Sequence, residues 1–154
     1  MNNTGWGIVE SENNRLTYIA SGTIRPKKSA SLSVRLHQLF VALCDVIETY
    51  QPQEAAIEET FVNKGARSAL ILGQARGVVL MAPEFKGVDS FEYAANLVKK
   101  SVVGHGHADK NQIEQMIKLL LPKSEAKSAD EADALAIAIC HTHHRSSLEL
   151  QGCA

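Results

Sequence analysis

Three carboxylates stand out for the chemistry their spacing allows. Ala55-Ala56-Ile57-Glu58-Glu59-Thr60-Phe61 is a run of small and apolar residues interrupted by two acids. In a strand, side-chain alternation sends Ile57 and Glu59 to one face and Ala56 and Glu58 to the other. A sheet covered by helices has little room for an unpaired carboxylate, so Glu58 is salt-bridged, at a solvated edge, or a metal ligand. In Ser128-Ala129-Asp130-Glu131-Ala132-Asp133-Ala134-Leu135-Ala136, Asp130 and Asp133 are three residues apart and share one helical face. That segment reads equally well as a helix start. Ser128 with Glu131 spells a capping box, and acids in a first turn suit the helix dipole. One strand-end carboxylate and two at a helix N-terminus can converge on divalent cations. Phosphodiester hydrolysis uses such clusters, because hard cations activate a water and stabilise the leaving oxygen. His141, His143 and His144 crowd the far end of the same helix, where partial positive charge is favourable.

The elements that must position these groups are legible in the pattern. Gly5–Glu10 and Arg15–Arg25 are rich in β-formers and flank the polar turn Ser11–Asn14, as in an antiparallel hairpin. Leu32, Leu36, Leu39, Leu43 and Ile47 recur at helical spacing between Ser31 and Tyr50, and Gln51-Pro52 ends that helix. Glu54–Thr60 reads as a short strand and Gly65–Met81 as a second helix. Gly73 and Gly77 lie inside that helix, where small residues allow close approach of another helix or backbone. Pro83 and Gly87 predict a loop that ends it early, and Val88–Phe91 a short strand. Helices are expected over Glu92–Lys99, Asp109–Leu120 and Asp130–His143. The order predicts an α/β sandwich with a mixed sheet, and residues 1–154 as a single domain.

Composition bounds the function only loosely. Of 154 residues 45% are apolar and 21% charged, an ordinary globular balance, and the net charge of −1 gives no bulk argument for nucleic-acid binding. A DNA-binding surface would have to be local. No apolar run is long enough to span a bilayer and no secretory leader opens the chain. Cys44, Cys140 and Cys153 are odd in number with no CxxC, which reads as reduced cysteines of a cytoplasmic protein.

Six ordered stretches resemble the RuvC family of junction-resolving endonucleases. Thr4-Gly5-Trp6-Gly7 resembles the end of its first motif, and Ala56-Ile57-Glu58 through Phe61 its second. Leu72-Gly73-Gln74-Ala75-Arg76-Gly77 follows, then Phe91-Glu92-Tyr93-Ala94, then Val98-Lys99 with Val102-Val103-Gly104, and finally Ala132-Asp133-Ala134-Leu135-Ala136-Ile137-Ala138. The resemblance implies a ribonuclease-H-like mixed sheet flanked by helices. It implies a homodimeric endonuclease that cuts four-way (Holliday) DNA junctions in recombination and repair, working with a branch-migration helicase complex. Glu58, Asp130 and Asp133 would bind Mg²⁺ or Mn²⁺, and Lys99 and Lys110 match basic positions near the scissile phosphate, with Lys100 an alternative to Lys99. Phe61 matches an aromatic residue beside the junction centre, where base stacking contributes about 1–3 kcal/mol; as a core residue it would instead cap the strand. Arg67 and Arg76 are candidate phosphate contacts, Arg76 being equally a candidate for a structural role in its helix.

The resemblance also marks a departure. The family's first strand, which ends in an Asp-Pro-Gly stretch, has no counterpart after Met1. Its Asp belongs to the acidic cluster and the strand is central to the sheet, so either Met1 is an internal methionine of a longer, active protein, which the retained site positions favour, or this is a shortened form whose hairpin lacks a pairing partner and whose cutting is impaired. A non-catalytic junction-binding homologue, or another ribonuclease-H-like nuclease acting on RNA–DNA hybrids or transposon ends, are the competing readings.

Overall fold

A computed structural model describes residues 2–13, 15–59, 65–104 and 109–152. The elements run β1 (Thr4–Glu12), β2 (Arg15–Ile24), α1 (Leu32–Tyr50), β3 (Glu54–Glu58), α2 (Ala66–Phe85), β4 (Asp89–Tyr93), α3 (Ala95–Val103), α4 (Lys110–Leu120) and α5 (Ala129–Gly152). The strands form two ladders, β1 with β2 and β3 with β4. The single mixed sheet expected from the element order is therefore divided, and among the described residues the hairpin pairs with no third strand. No described helix is long and apolar enough to cross a membrane.

The chain gathers into two compact units that interleave in sequence. One combines Met1–Thr4 with Ile24–Glu92, the other Gly5–Thr23 with Tyr93–Ala154. In the first, α1 packs along α2, and Leu39, Cys44, Ile57, Ala75, Ala82 and Val88 are buried. Ser31 caps α1 through its side chain, and Gln51 closes it in the left-handed region, a conformation Pro52 cannot extend into a helix. In the second, α3, α4 and α5 pack on one another around Val98, Val102, Ile113, Ile117, Leu121, Leu135, Ile139 and Cys140. Asp109 starts α4 with a full capping box to Gln112.

Two boundaries differ from expectation. Helix α2 continues through Pro83 to Phe85 instead of ending early, because a proline in the last turn forfeits only one backbone bond. The end is then satisfied by Lys86 and Val88 N–H groups bonding the Pro83 carbonyl, and by Gly87 at φ 71° bonding Glu84. Glu92 and Tyr93, expected to open a helix, are instead the last residues of β4; ladder pairing with β3 outweighs the helical propensity of Glu92. Among the described residues, close packing does not explain Gly73 and Gly77. A Cβ at either would meet nothing within 4 Å beyond its own stretch of helix.

Candidate functional site

Helix α5 is seated on the hairpin by contacts that fix its first turn. A Cβ on Gly5 would lie 1.9 Å from the Asp130 carbonyl oxygen, and one on Gly7 2.7 Å from Leu135 Cδ2. Residues two apart on a strand share a face, so the bare backbone of β1 is the surface on which the Asp130 turn rests. Trp6 points the other way and packs on Gly22 of β2, whose added Cβ would come within 2.7 Å of its indole. From the same hairpin Ser21 and Thr23 reach back to α5.

Those two hydroxyls meet Glu131, which is only 7% exposed. Ser21 Oγ donates to Oε2 at 3.0 Å and Thr23 Oγ1 to Oε1 at 3.1 Å. The Lys127 N–H and Ser128 Oγ complete the set, each at 3.1 Å. Ser128 Oγ in turn accepts the Glu131 N–H, as a capping box requires, and the carboxylate reaches back to the Ser128 hydroxyl and to the backbone N–H of Lys127. Burial would push this carboxyl up; the Lys127, Ser21, Ser128 and Thr23 donors outweigh it and hold Glu131 below the usual carboxylate value. Asp130 and Asp133 flank this anchor on the first turns of α5, Asp130 half-buried and Asp133 exposed. Ser128 thus caps α5, and Glu131 is the acid that ties this turn to the hairpin.

Glu58 ends β3 with its side chain exposed, whereas Ile57 before it is buried, as strand alternation requires. The Glu58 carbonyl is held from α2: Arg76 Nη1 donates to it at 2.9 Å, while Nη2 is ion-paired with Glu92 of β4.

The family model for crossover junction endodeoxyribonuclease RuvC matches residues 1–141. The chain belongs to the RuvC family. It is 56% identical over 142 residues to the RuvC of Rhodopseudomonas palustris strain BisA53, covering 92% of this chain and 82% of that one. It is also 55% identical over 148 residues to that of Bradyrhizobium diazoefficiens, covering 96% and 85%. Among solved structures, Thermus thermophilus RuvC superposes with a TM-score of 0.85 at 27% identity, covering 95% of this chain and 90% of that one. The same protein in complex with a Holliday junction substrate gives a TM-score of 0.85 over 94% of this chain and 88% of that one. The ribonuclease-H-like architecture read from the RuvC resemblance therefore holds.

The remaining RuvC-like positions fall as follows. Arg67 is exposed in the first turn of α2, Lys99 is half-buried on α3, and Lys100 beside it is exposed. Lys110 opens α4, but its side chain lies outside the described residues, as does all of Phe61. In type, three carboxylates suit a hard divalent cation. In place, Asp130 and Asp133 stand on α5 in one unit and Glu58 in the other, and no three His, Cys, Asp or Glu side chains among the described residues form a group able to hold a metal. The histidine cluster has a packing explanation: His141 is buried with Nδ1 2.7 Å from the Tyr93 hydroxyl, and His144 Nδ1 is 2.9 Å from the Cys140 carbonyl. Sequence reasoning paired Glu131 with Ser128 but missed its tie to the hairpin, and it missed Gly5 and Glu92 as site-building residues. A Gly-x-Gly inside a strand and the Ser-x-Thr alternation of β2 were the available signals.

Proposed function

We infer that this chain resolves four-way DNA junctions by hydrolysing phosphodiester bonds, acting as a homodimer in the cytoplasm beside a branch-migration helicase complex. The observation that carries the reading is the RuvC match over residues 1–141, joined to the structural likeness to a RuvC solved with its junction. Glu58, Asp130 and Asp133 are the carboxylates proposed to hold Mg²⁺ or Mn²⁺. When bound, the cation supplies water activation and stabilisation of the leaving 3′-oxygen. The chain's own contribution is to present Asp130 and Asp133 from a helix turn anchored through Glu131, and Glu58 from a strand end fixed by Arg76. Lys99 and Lys110 are proposed to offset phosphate charge near the cut and Arg67 to contact the backbone. Phe61 is proposed to stack on a splayed base.

A second reading is a junction-binding protein that does not cut. A labelled synthetic four-way junction, incubated with Mg²⁺, separates the two. Paired symmetric nicks that vanish in Glu58→Gln and Asp133→Asn, with binding retained, support the nuclease. Tight binding with no nicks at any Mg²⁺ or Mn²⁺ concentration would leave only the binding role, and faster cutting of an RNA–DNA hybrid would redirect the substrate.

A further inference from the structure

Three of the stretches that carry the RuvC resemblance meet at one guanidinium. Glu58 comes from β3, Arg76 from α2 and Glu92 from β4. Arg76 is only 24% exposed along its side chain, and both terminal nitrogens are engaged, Nη1 with the Glu58 carbonyl and Nη2 with the Glu92 carboxylate. The acceptor is a backbone atom of the last residue of β3. Glu58 is the last residue of β3, so the Arg76 bond ties down the strand's end from a second element of the unit.

We propose that Arg76 is a positioning residue for Glu58, holding the last peptide of β3 while Glu92 orients the guanidinium. The inference rests on the reading of Glu58 as a catalytic carboxylate. A small rotation of that peptide swings the carboxylate by about 1 Å, the scale of misplacement that costs about 10²-fold in rate. The planar fork of arginine serves two acceptors in fixed directions, which the single ammonium of lysine does not. A phosphate contact by Arg76 would instead bring an anion beside the Glu92 carboxylate, so removing the Glu92 charge would favour it.

The two roles predict opposite results at Glu92. In the full chain, Arg76→Ala is expected to slow single-turnover junction cleavage by about 10- to 100-fold. Junction affinity in EDTA should stay within about twofold, with the salt dependence of binding unchanged. Glu92→Gln should also slow cleavage, by less, and Arg76→Lys should fall between wild type and Arg76→Ala. Independently of activity, amide exchange in residues 54–59 should accelerate in Arg76→Ala while exchange in α5 stays as in wild type. The proposal is overturned if Arg76→Ala weakens binding with a salt slope lower by about one and Glu92→Gln binds more tightly, the signature of a phosphate contact. Unchanged exchange in residues 54–59 overturns it as well. If Arg76→Ala does not fold, Arg76→Lys and Glu92→Gln carry the same comparisons. A Glu58→Gln variant that cuts like wild type would defeat the reading of Glu58 itself. Loss of cutting in Glu58→Gln alongside wild-type rates in Arg76→Ala would defeat only the positioning role.

Discussion

Replacing Glu131 tests whether one buried carboxylate ties the hairpin to α5. Its two oxygens accept four hydrogen bonds between 3.0 and 3.1 Å. In Glu131→Ala the hydroxyls have fallback partners: Thr23 and Ser128 are 3.0 Å apart, and Ser21 is 3.1 Å from the Tyr18 hydroxyl. The Lys127 N–H loses its acceptor, which costs about 1–3 kcal/mol. Loss of the buried methylenes adds about 1 kcal/mol. The sum is about 3 kcal/mol, or roughly 6–12 °C in melting temperature for a chain of this length. Glu131→Gln keeps the shape. With its amide nitrogen in place of Oε1 it still offers an oxygen to Lys127 and Ser21, so it should cost about 1–2 kcal/mol, the charge-assisted part. The pH dependence has a defined sign. The folded-state pKa lies below the unfolded one, so the stabilisation is complete above the unfolded value of about 4.3 and fades as pH falls through the lower folded value. Thermal melts of wild type and Glu131→Gln should therefore differ most near neutral pH and converge below about pH 4. A Glu131→Ala protein melting within 2 °C of wild type (roughly 0.5–1 kcal/mol), or a wild-type-to-Gln gap that widens in acid, would refute the anchoring role.

Gly5→Ala should be worse for cutting than for folding. The new Cβ has to move the Asp130 turn by more than an ångström, so we expect about a 10²-fold slower single turnover with about 1–3 kcal/mol lost in urea titration; normal cutting would show that the turn adjusts freely. Tyr93→Phe removes the hydroxyl 2.7 Å from His141 Nδ1 and should cost about 1–2 kcal/mol by chemical denaturation, without altering junction binding. Asp109→Ala should cost about 1 kcal/mol and exceed the effect of Ser31→Ala. The Asp109 cap bond is 2.9 Å with a reciprocal partner, and the Ser31 bond to Val34 is 3.5 Å; a reversed order in melting temperature would count against this geometric ranking.

What the chain discloses unaided follows from which interactions are local. The hairpin and α1 are fixed by side-chain alternation and by leucines at helical spacing, so they were legible within a residue or two. The β4–α3 boundary was not, because Glu92 and Tyr93 join a strand only through pairing with a segment some thirty residues earlier. Capping-box spacing sets Glu131 apart from Asp130 and Asp133 in sequence. That it also ties α5 to the hairpin depends on Ser21 and Thr23, more than a hundred residues away. Arg76 was open between two roles, and its acceptors on β3 and β4 are invisible to any local pattern.

The hydrogen bond from Ser21 to Glu131 joins residues 110 positions apart, and that separation has a consequence for biosynthesis. The hairpin is synthesised well before the helix it is built to receive. Residues 24–92 can gather into their own unit meanwhile, closing shorter loops at lower entropic cost. Throughout that interval Gly5, Gly7, Ser21 and Thr23 present a bare strand face with nothing on it. Completion of the second unit therefore waits on synthesis of α5, and until then the nascent hairpin is open to pairing with another chain.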